Sequence, residues 1–257
     1  MTAGALAGRH ALVTGAGKGT GAAIVVALSA AGAAVTLLGR DRSGLERTAA
    51  RCSGRSRVVC ADVTDPAALR AAIADASSTI GAVDVLVNNA GAAASEPFHR
   101  STDEAWQWML ALNMTGPRVA MREVLPAMLA RDYGRIVNIA STAGLTGYAY
   151  AAAYCAAKHG LVGLTRSVAR EVARRNISVN AVCPGYTDTE MVENAVSNIM
   201  AKTGRSRAEA LGALTANNPQ GRLVRVEEVA STVLWLCSPG SESVTGQSIL
   251  LAGGELM

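Results

Sequence analysis

The sequence predicts a single doubly wound α/β domain, with a parallel sheet of about seven strands and helices on both of its faces. Three observations carry that expectation. Short Val/Ile/Leu-rich runs alternate with longer Ala-rich stretches of helical period along the whole chain, which is the pattern of repeated βαβ units. The apolar runs are continuous, as they are in strands buried on both faces. Of the 257 residues, 50% are hydrophobic and 17% charged, which is ample for one large core, and no composition break marks a second domain.

In chain order, strands are expected near His10–Thr14, Ala34–Leu38, Arg57–Ala61, Asp84–Asn88, Arg135–Ala140, Ser178–Val182 and Ser248–Leu251. A helix from about Gly19 to Ala31 joins the first two. Asp65-Pro66 reads as a helix start, because proline at the first helical position gives up an amide that has no partner there. Ser101 and Glu104 read as a capping box that opens a helix running to about Ala130. The rhythm breaks over residues 186–222, where Gly204, Gly212 and Asn217-Asn218-Pro219 interrupt helical segments. That insertion is a candidate substrate lid hinged at Pro184-Gly185. Met191, Val192, Val196, Ile199, Met200, Leu211 and Leu214 make it apolar enough to cover a hydrophobic substrate, or to pack onto the body.

Composition also excludes functions. Lys and Arg number 24 against 20 Asp and Glu, a net charge of +4 spread without a basic block, so no nucleic-acid partner is expected. Five cysteines with no C-x-x-C pair argue against a disulfide framework and suit a reducing compartment. Met1 to Gly8 lacks a leader pattern and no apolar run is long enough to span a bilayer, so a soluble, cytoplasmic, unprocessed chain with no membrane partner is expected. His10, His99 and His159 have no ligand spacing to one another or to cysteine, and no metal is expected. Arg166, Arg170 and Arg174 form a helical stripe that suits a solvated face or a subunit contact better than an anionic partner.

Between the first strand and first helix stands Thr14-Gly15-Ala16-Gly17-Lys18-Gly19-Thr20-Gly21. A glycine-rich strand-to-helix turn brings backbone amides up to a diphosphate, which then sits at the positive end of the helix dipole. With a strand before it and a helix after it, the turn is expected to be a dinucleotide site of the Rossmann type, the alternative being a plain structural turn. An acid at the end of the second strand would bind the adenosine 2′-hydroxyl, and a cation there would pair with a 2′-phosphate. That strand ends in Gly39-Arg40, and with Lys18 the two cations favour NADP(H). Asp41 leaves NAD(H) open. Asp62 either meets the adenine or caps a helix.

Ser141 ends the fifth strand, at the sheet edge where doubly wound folds bind ligands. Tyr154 and Lys158 follow at helical i, i+4 spacing, which puts phenol and ammonium one turn apart on one face. A nearby ammonium stabilises phenolate, so the tyrosine could exchange a proton with a carbonyl or alcohol oxygen.

Together the glycine loop, Asn88-Asn89-Ala90-Gly91, Ser141, Tyr154, Lys158 and Pro184-Gly185 resemble the short-chain dehydrogenase/reductase family. The resemblance implies strand order 3-2-1-4-5-6-7 and assigns roles by position. Gly15, Gly17, Lys18, Gly19, Thr20, Gly21, Gly39, Arg40, Asp62 and Val63 would hold the adenosine and phosphates. Asn89, Ala90, Gly91, Tyr154, Lys158, Pro184, Gly185, Thr187 and Thr189 would line the rest of the cofactor. Ser141 would hold the substrate oxygen, Tyr154 would be the acid/base, and Lys158 would bind ribose and lower the tyrosine's pKa. Asn113 would extend the proton relay through water. Ser141, Ala143, Leu145, Tyr148, Tyr154, Tyr186, Met191 and Val192 would line the substrate pocket.

Thr20, Cys155 and the missing acid before Gly253-Gly254 depart from the family pattern without touching the relay. The stretches Gly134–Gly144 and Ser178–Gly185 are similar to those of β-ketoacyl reductases, polyketide ketoreductases and 3-hydroxyacyl dehydrogenases. The implied reaction is NADP(H)-dependent interconversion of ketone and secondary alcohol, on a β-ketoacyl thioester or a (poly)cyclic ketone, in a homotetramer built on the helices around Asn113 and Tyr154. The alternatives are an NAD-dependent 3-hydroxyacyl or cyclic alcohol dehydrogenase, and a non-catalytic dinucleotide-sensing module. Arg175 matches one position of the basic pair used by carrier-protein-dependent members, and Asp132 stands at the other beside Arg131, a half-match that weakens the case for a carrier protein. Lys202, Arg205 and Arg207 suit exposed charge better than contact with a CoA thioester.

Overall fold

The computed structural model describes residues 4–256, so Met1 to Ala3, which the leader reading included, lie outside it. The strands are β1 (His10–Thr14), β2 (Ala34–Gly39), β3 (Ser56–Cys60), β4 (Val85–Asn88), β5 (Gly134–Ile139), β6 (Ile177–Pro184) and β7 (Ser248–Leu251). Between them run α1 (Gly19–Ala30), α2 (Arg42–Ala49), α3 (Pro66–Ile80), α4 (Asp103–Leu110), α5 (Gly116–Arg131), α6 (Ala152–Glu171), α7 (Glu190–Thr203), α8 (Arg207–Thr215) and α9 (Val226–Cys237). All strand pairs are parallel, in the order β3-β2-β1-β4-β5-β6-β7, as the resemblance implied.

Side-chain alternation along each strand divides the core between the two faces. Ala11 and Val13 of β1 turn to the face covered by α1 and α9, where they meet Ile24, Leu28, Val229 and Val233. Leu12, between them, turns to the other face and meets Leu69 of α3 and Val124 and Met128 of α5. Every residue of β1, β5 and β6 is buried, which is why these runs read as continuously apolar. The sheet is therefore a rigid floor whose carboxyl edge carries the site.

The capping reading at residues 101–104 needs correction. Thr102 is the N-cap, its hydroxyl accepting from Ala105 N at 3.2 Å, because Ser101 closes a short 3₁₀ turn over Phe98–Arg100. Nor is the following helix continuous to residue 130. One π turn over Ala111–Thr115 separates α4 from α5. Pro117 has no amide to give to the carbonyl of Asn113, and the Asn113 side chain itself donates to Met109 O at 3.1 Å, so the regular ladder cannot hold there. At Asp65-Pro66 the expected start is found, with the carboxylate accepting from Ala67 N and Ala68 N.

Residues 186–222 form α7 and α8 with a small core of their own. Val192, Val196 and Ala210 are buried in it, packed by Ile199, Leu211, Leu214 and Leu223. Val192 therefore faces the interior of the insertion, which corrects its placement in the substrate pocket, while Met191 is 44% exposed. His10 sits in the sheet core, with Nδ1 against Gly81 O and Nε2 against Thr36 Oγ1, and burial holds its pKa down. Among the described residues no helix is long and apolar enough to cross a membrane.

Candidate active site

The glycine turn is shaped by close approaches that only glycine allows. Gly15 adopts φ +65°, and a Cβ there would lie 2.8 Å from Ala90 Cα. A Cβ on Gly21 would run into Gly15 O and Asn89 Nδ2. Asn89 fastens this turn to β4 by donating to Thr14 O at 2.9 Å and Gly15 O at 3.1 Å. The helix that follows starts without a cap. Lys18 occupies the N-cap position with no capping hydrogen bond, and the first turn holds no acid. An uncapped helix start, fronted by glycines, fits a diphosphate.

Several expected cofactor residues have protein partners. Lys18 pairs with Glu190, the first residue of α7. Arg40 is largely exposed with Asp62 at 3.7 Å. Asp62 does not cap α3. Its Oδ1 accepts from Thr64 N and Thr64 Oγ1, and Asp65 is the cap. Asp41 caps α2 by accepting from Ser43 N and Gly44 N, which occupies the acid that had left NAD(H) open. Val63 is buried against Gly116. Thr187 and Thr189 donate to Gly185 O and Thr187 O, and Thr189 packs over Gly19.

Ser141, Tyr154, Lys158 and Asn113 converge at the carboxyl edge of β5. Ser141 Oγ accepts from Ala143 N at 3.1 Å, which leaves its own hydrogen free to be donated. Ala143 is itself buried, and its backbone N–H orients the serine. Leu145 packs half-buried against Ala140, Leu161 and Val162. Lys158 Nζ lies 5.6 Å from the Tyr154 ring centroid and donates to Ile139 O at 2.8 Å.

The electrostatics differ from the expectation that Lys158 lowers the tyrosine's pKa. Burial dominates and pushes Tyr154 up to about 12, against a smaller lowering by the nearby Ser141 hydroxyl. Burial also brings Lys158 down to about 8. Set against an ordinary value of 10.5, that depression costs on the order of 3 kcal/mol of stability. The cost is complete below pH 8, where both states hold the proton, and it fades between pH 8 and 10.5 as the folded state releases its proton first. Lys158→Met should therefore raise the stability of the cofactor-free protein at pH 7 by on the order of 1–3 kcal/mol, the lost bond to Ile139 offsetting part. Calorimetry across this pH range checks it, and a variant no more stable than wild type at pH 7 would mean the ammonium carries no burial cost.

Asn113 is completely buried, with Nδ2 donating to Ala92 O and Met109 O. Its Oδ1 has no hydrogen-bond partner among the described residues. A Cβ on Gly91 would lie 2.9 Å from that oxygen and 3.5 Å from Lys158 Nζ, so bare glycine keeps the space between them open. An orphaned buried acceptor beside an ammonium fits a bridging water.

Two partners at the substrate side escaped the sequence reading. Tyr148 OH lies 2.8 Å from Thr142 Oγ1 and also bonds a carboxylate oxygen of Glu255, from the tail after β7. Glu255 directly follows Gly253-Gly254, but no local spacing signals that the tail returns to the site. Tyr186 and Met191 are exposed. Arg131 is held by Asp84 at 3.1 Å and Arg175 by Asp132 at 2.7 Å, so the half-matched basic pair is internally neutralised.

Comparison with known proteins agrees with this geometry. Residues 9–199 match the family model described as short chain dehydrogenase. Granaticin polyketide synthase putative ketoacyl reductase 1 of Streptomyces violaceoruber is 41% identical, covering 98% of this chain and 95% of its own. A 3-oxoacyl-(acyl-carrier-protein) reductase of Vibrio cholerae is 35% identical over 98% of this chain and 99% of its own. Among solved structures, a variant of actinorhodin polyketide ketoreductase crystallised with NADPH superposes with a TM-score of 0.93 at 38% identity, covering 99% of both chains. Levodione reductase gives 0.92 at 31% identity, over 97% of this chain and 98% of its own. With the uncapped glycine turn and the Ser141–Tyr154–Lys158 cluster on one sheet edge, these matches place the chain in the short-chain dehydrogenase family, as an NAD(P)-dependent oxidoreductase.

Proposed function

We propose that the protein reduces a ketone to a secondary alcohol with NADPH, the ketone belonging to a β-ketoacyl thioester or a (poly)cyclic skeleton. The observation that carries this reading is the meeting of Ser141, Tyr154 and Lys158 beside the uncapped start of α1. When bound, the reduced nicotinamide supplies a hydride to the carbonyl carbon. Ser141, held by Ala143 N, donates to the carbonyl oxygen and fixes its position. Tyr154, protonated at neutral pH, gives its phenolic proton to that oxygen. Lys158 holds the ribose and neutralises the phenolate that forms, and Asn113 Oδ1 fixes the water through which a replacement proton arrives. The first-turn amides of α1 and the Gly15–Gly21 turn bind the diphosphate, and Arg40 with Lys18 takes the 2′-phosphate, each leaving a carboxylate partner.

The relatives are named as ketoacyl and 3-oxoacyl reductases, and a structural neighbour as levodione reductase. The pairing of Arg131 and Arg175 with acids favours a small or thioester substrate over docking of a carrier protein at that point. Residues 186–222 act as the lid over the substrate, presenting Met191, and the assembly is a homotetramer packed on α5 and α6. The decisive assay follows NADPH and NADH oxidation over β-keto esters, β-ketoacyl thioesters and cyclic ketones. Turnover with the secondary alcohol as product is expected. If NADPH binds yet no ketone is turned over with either cofactor, a dinucleotide-sensing role replaces the reductase.

A further inference from the structure

After β7 the chain turns through Gly253 (φ +59°) and Gly254 (φ +94°), conformations that favour glycine. The tail passes the end of the lid, where a Cβ on Gly254 would lie 3.1 Å from Pro219 Cγ. It then brings Glu255 back over the carboxyl edge of β6. One carboxylate oxygen accepts from Tyr148 OH, which also contacts Thr142, the neighbour of Ser141. The other, Oε2, lies 3.1 Å from the point a Cβ on Gly185 would occupy. Among the described residues no Lys, Arg or His lies within ion-pair distance of Glu255, and no protein donor reaches Oε2. Its field is felt at Tyr148 and Tyr186, both of whose phenols it helps to raise, after burial. Tyr186 in turn acts on Tyr154.

A half-buried carboxylate with no cation, one oxygen pinned and the other open, therefore stands in the wall between the Ser141 loop and the nicotinamide end of the cleft. We propose that Glu255 is a specificity-determining residue that makes the ketone pocket reject substrates carrying a carboxylate near the carbonyl and accept neutral ones bearing a hydrogen-bond donor. The inference rests on the ketone-reductase reading above. Like charges a few ångströms apart in a partly desolvated cleft repel strongly, and the open Oε2 offers an acceptor to a substrate hydroxyl. The Tyr148 bond keeps the carboxylate aimed there. Gly185 and the two tail glycines leave room for it.

The test compares short-chain β-keto esters with their free β-keto acids, using NADPH as cofactor, on wild type, Glu255→Gln and Glu255→Lys. Wild type should favour the ester over the acid by roughly 10- to 100-fold in kcat/KM, mostly through KM. Glu255→Gln can still accept from Tyr148 and should bring the ratio to within a few fold of one. Glu255→Lys should carry it toward the acid. NADPH affinity, measured by fluorescence titration, should be the same in all three, which reports an intact fold. If both variants bind NADPH and reduce the ester but keep the wild-type ratio, Glu255 only holds the Tyr148 loop and the proposal is overturned while the reductase reading stands. A wild type that reduces neither ester, thioester nor cyclic ketone removes the reductase reading and this proposal with it.

Discussion

Tyr154→Phe is expected to lower turnover by roughly 10²- to 10⁴-fold while NADPH affinity stays near wild type. The change removes one oxygen, and the ring still packs beside Lys158, whose Nζ lies 5.6 Å from its centroid. Because burial pushes the Tyr154 phenol up to about 12, it is protonated throughout the neutral range, the form that ketone reduction consumes. The reverse direction needs phenolate. Below pH 12 the phenolate fraction grows about tenfold per pH unit, so alcohol oxidation should climb with pH up to about 8, where Lys158 begins to lose the ammonium that the proposed mechanism uses. Reduction should be flat up to about pH 8 and fall above it, as Lys158 loses its proton. Single-turnover kinetics with both directions followed across pH separate these limbs. Lys158→Ala should lose turnover and cofactor affinity together, because the proposed mechanism gives its ammonium both the ribose and the phenolate. Turnover of Tyr154→Phe within a few fold of wild type would dismiss the tyrosine as proton donor.

The framework was legible because its causes are local. Parallel strands buried on both faces must be continuously apolar, and the helices between them must be long enough to cross back, so β1 to β7 stand within a few residues of their expected places. Asp65-Pro66 announced α3 because capping is decided within one turn. The π turn at Ala111–Thr115 was not legible. It arises from a competition between the missing amide of Pro117 and the side chain of Asn113, and neither residue alone forbids a helix.

At the site, residue types and spacing identified the groups that converge, but burial and long-range pairing decide their state. The Tyr154–Lys158 spacing suggested a lowered phenol, whereas the closed surroundings of β5 and α6 raise it. Val192 lies in a stretch expected to line a cleft, yet its side chain packs into the insertion's own small core. Asp41 sits where a ribose-binding acid could stand, and the start of α2 claims it. Glu255, contributed by the last turns of the chain, could be found only once β7 was placed beside β6.

Cofactor choice follows from those pairings and gives the second large effect. Wild type should prefer NADPH over NADH in kcat/KM, and Gly39→Asp with Arg40→Leu should move the preference toward NADH by roughly 10- to 150-fold, the worth of one charge-assisted phosphate contact. Arg40 can make that contact at little cost, because its present partner, Asp62, is 3.7 Å away and both side chains are solvated. Lys18 must likewise leave a solvated partner, Glu190 of α7, a pairing that costs little to break. An aspartate at position 39 would sit at the end of β2, the one place from which a carboxylate can meet both ribose hydroxyls. Asp41 cannot substitute for it while it caps α2. A Cβ at Gly39 would lie 3.3 Å from Leu45 Cδ2, so that methyl must give way by a few tenths of an ångström. Gly39→Ala measures this packing cost separately and should slow both cofactors alike. A wild type that already favours NADH would mean that Arg40 is held by Asp62 and serves α2 and β3, not the 2′-phosphate.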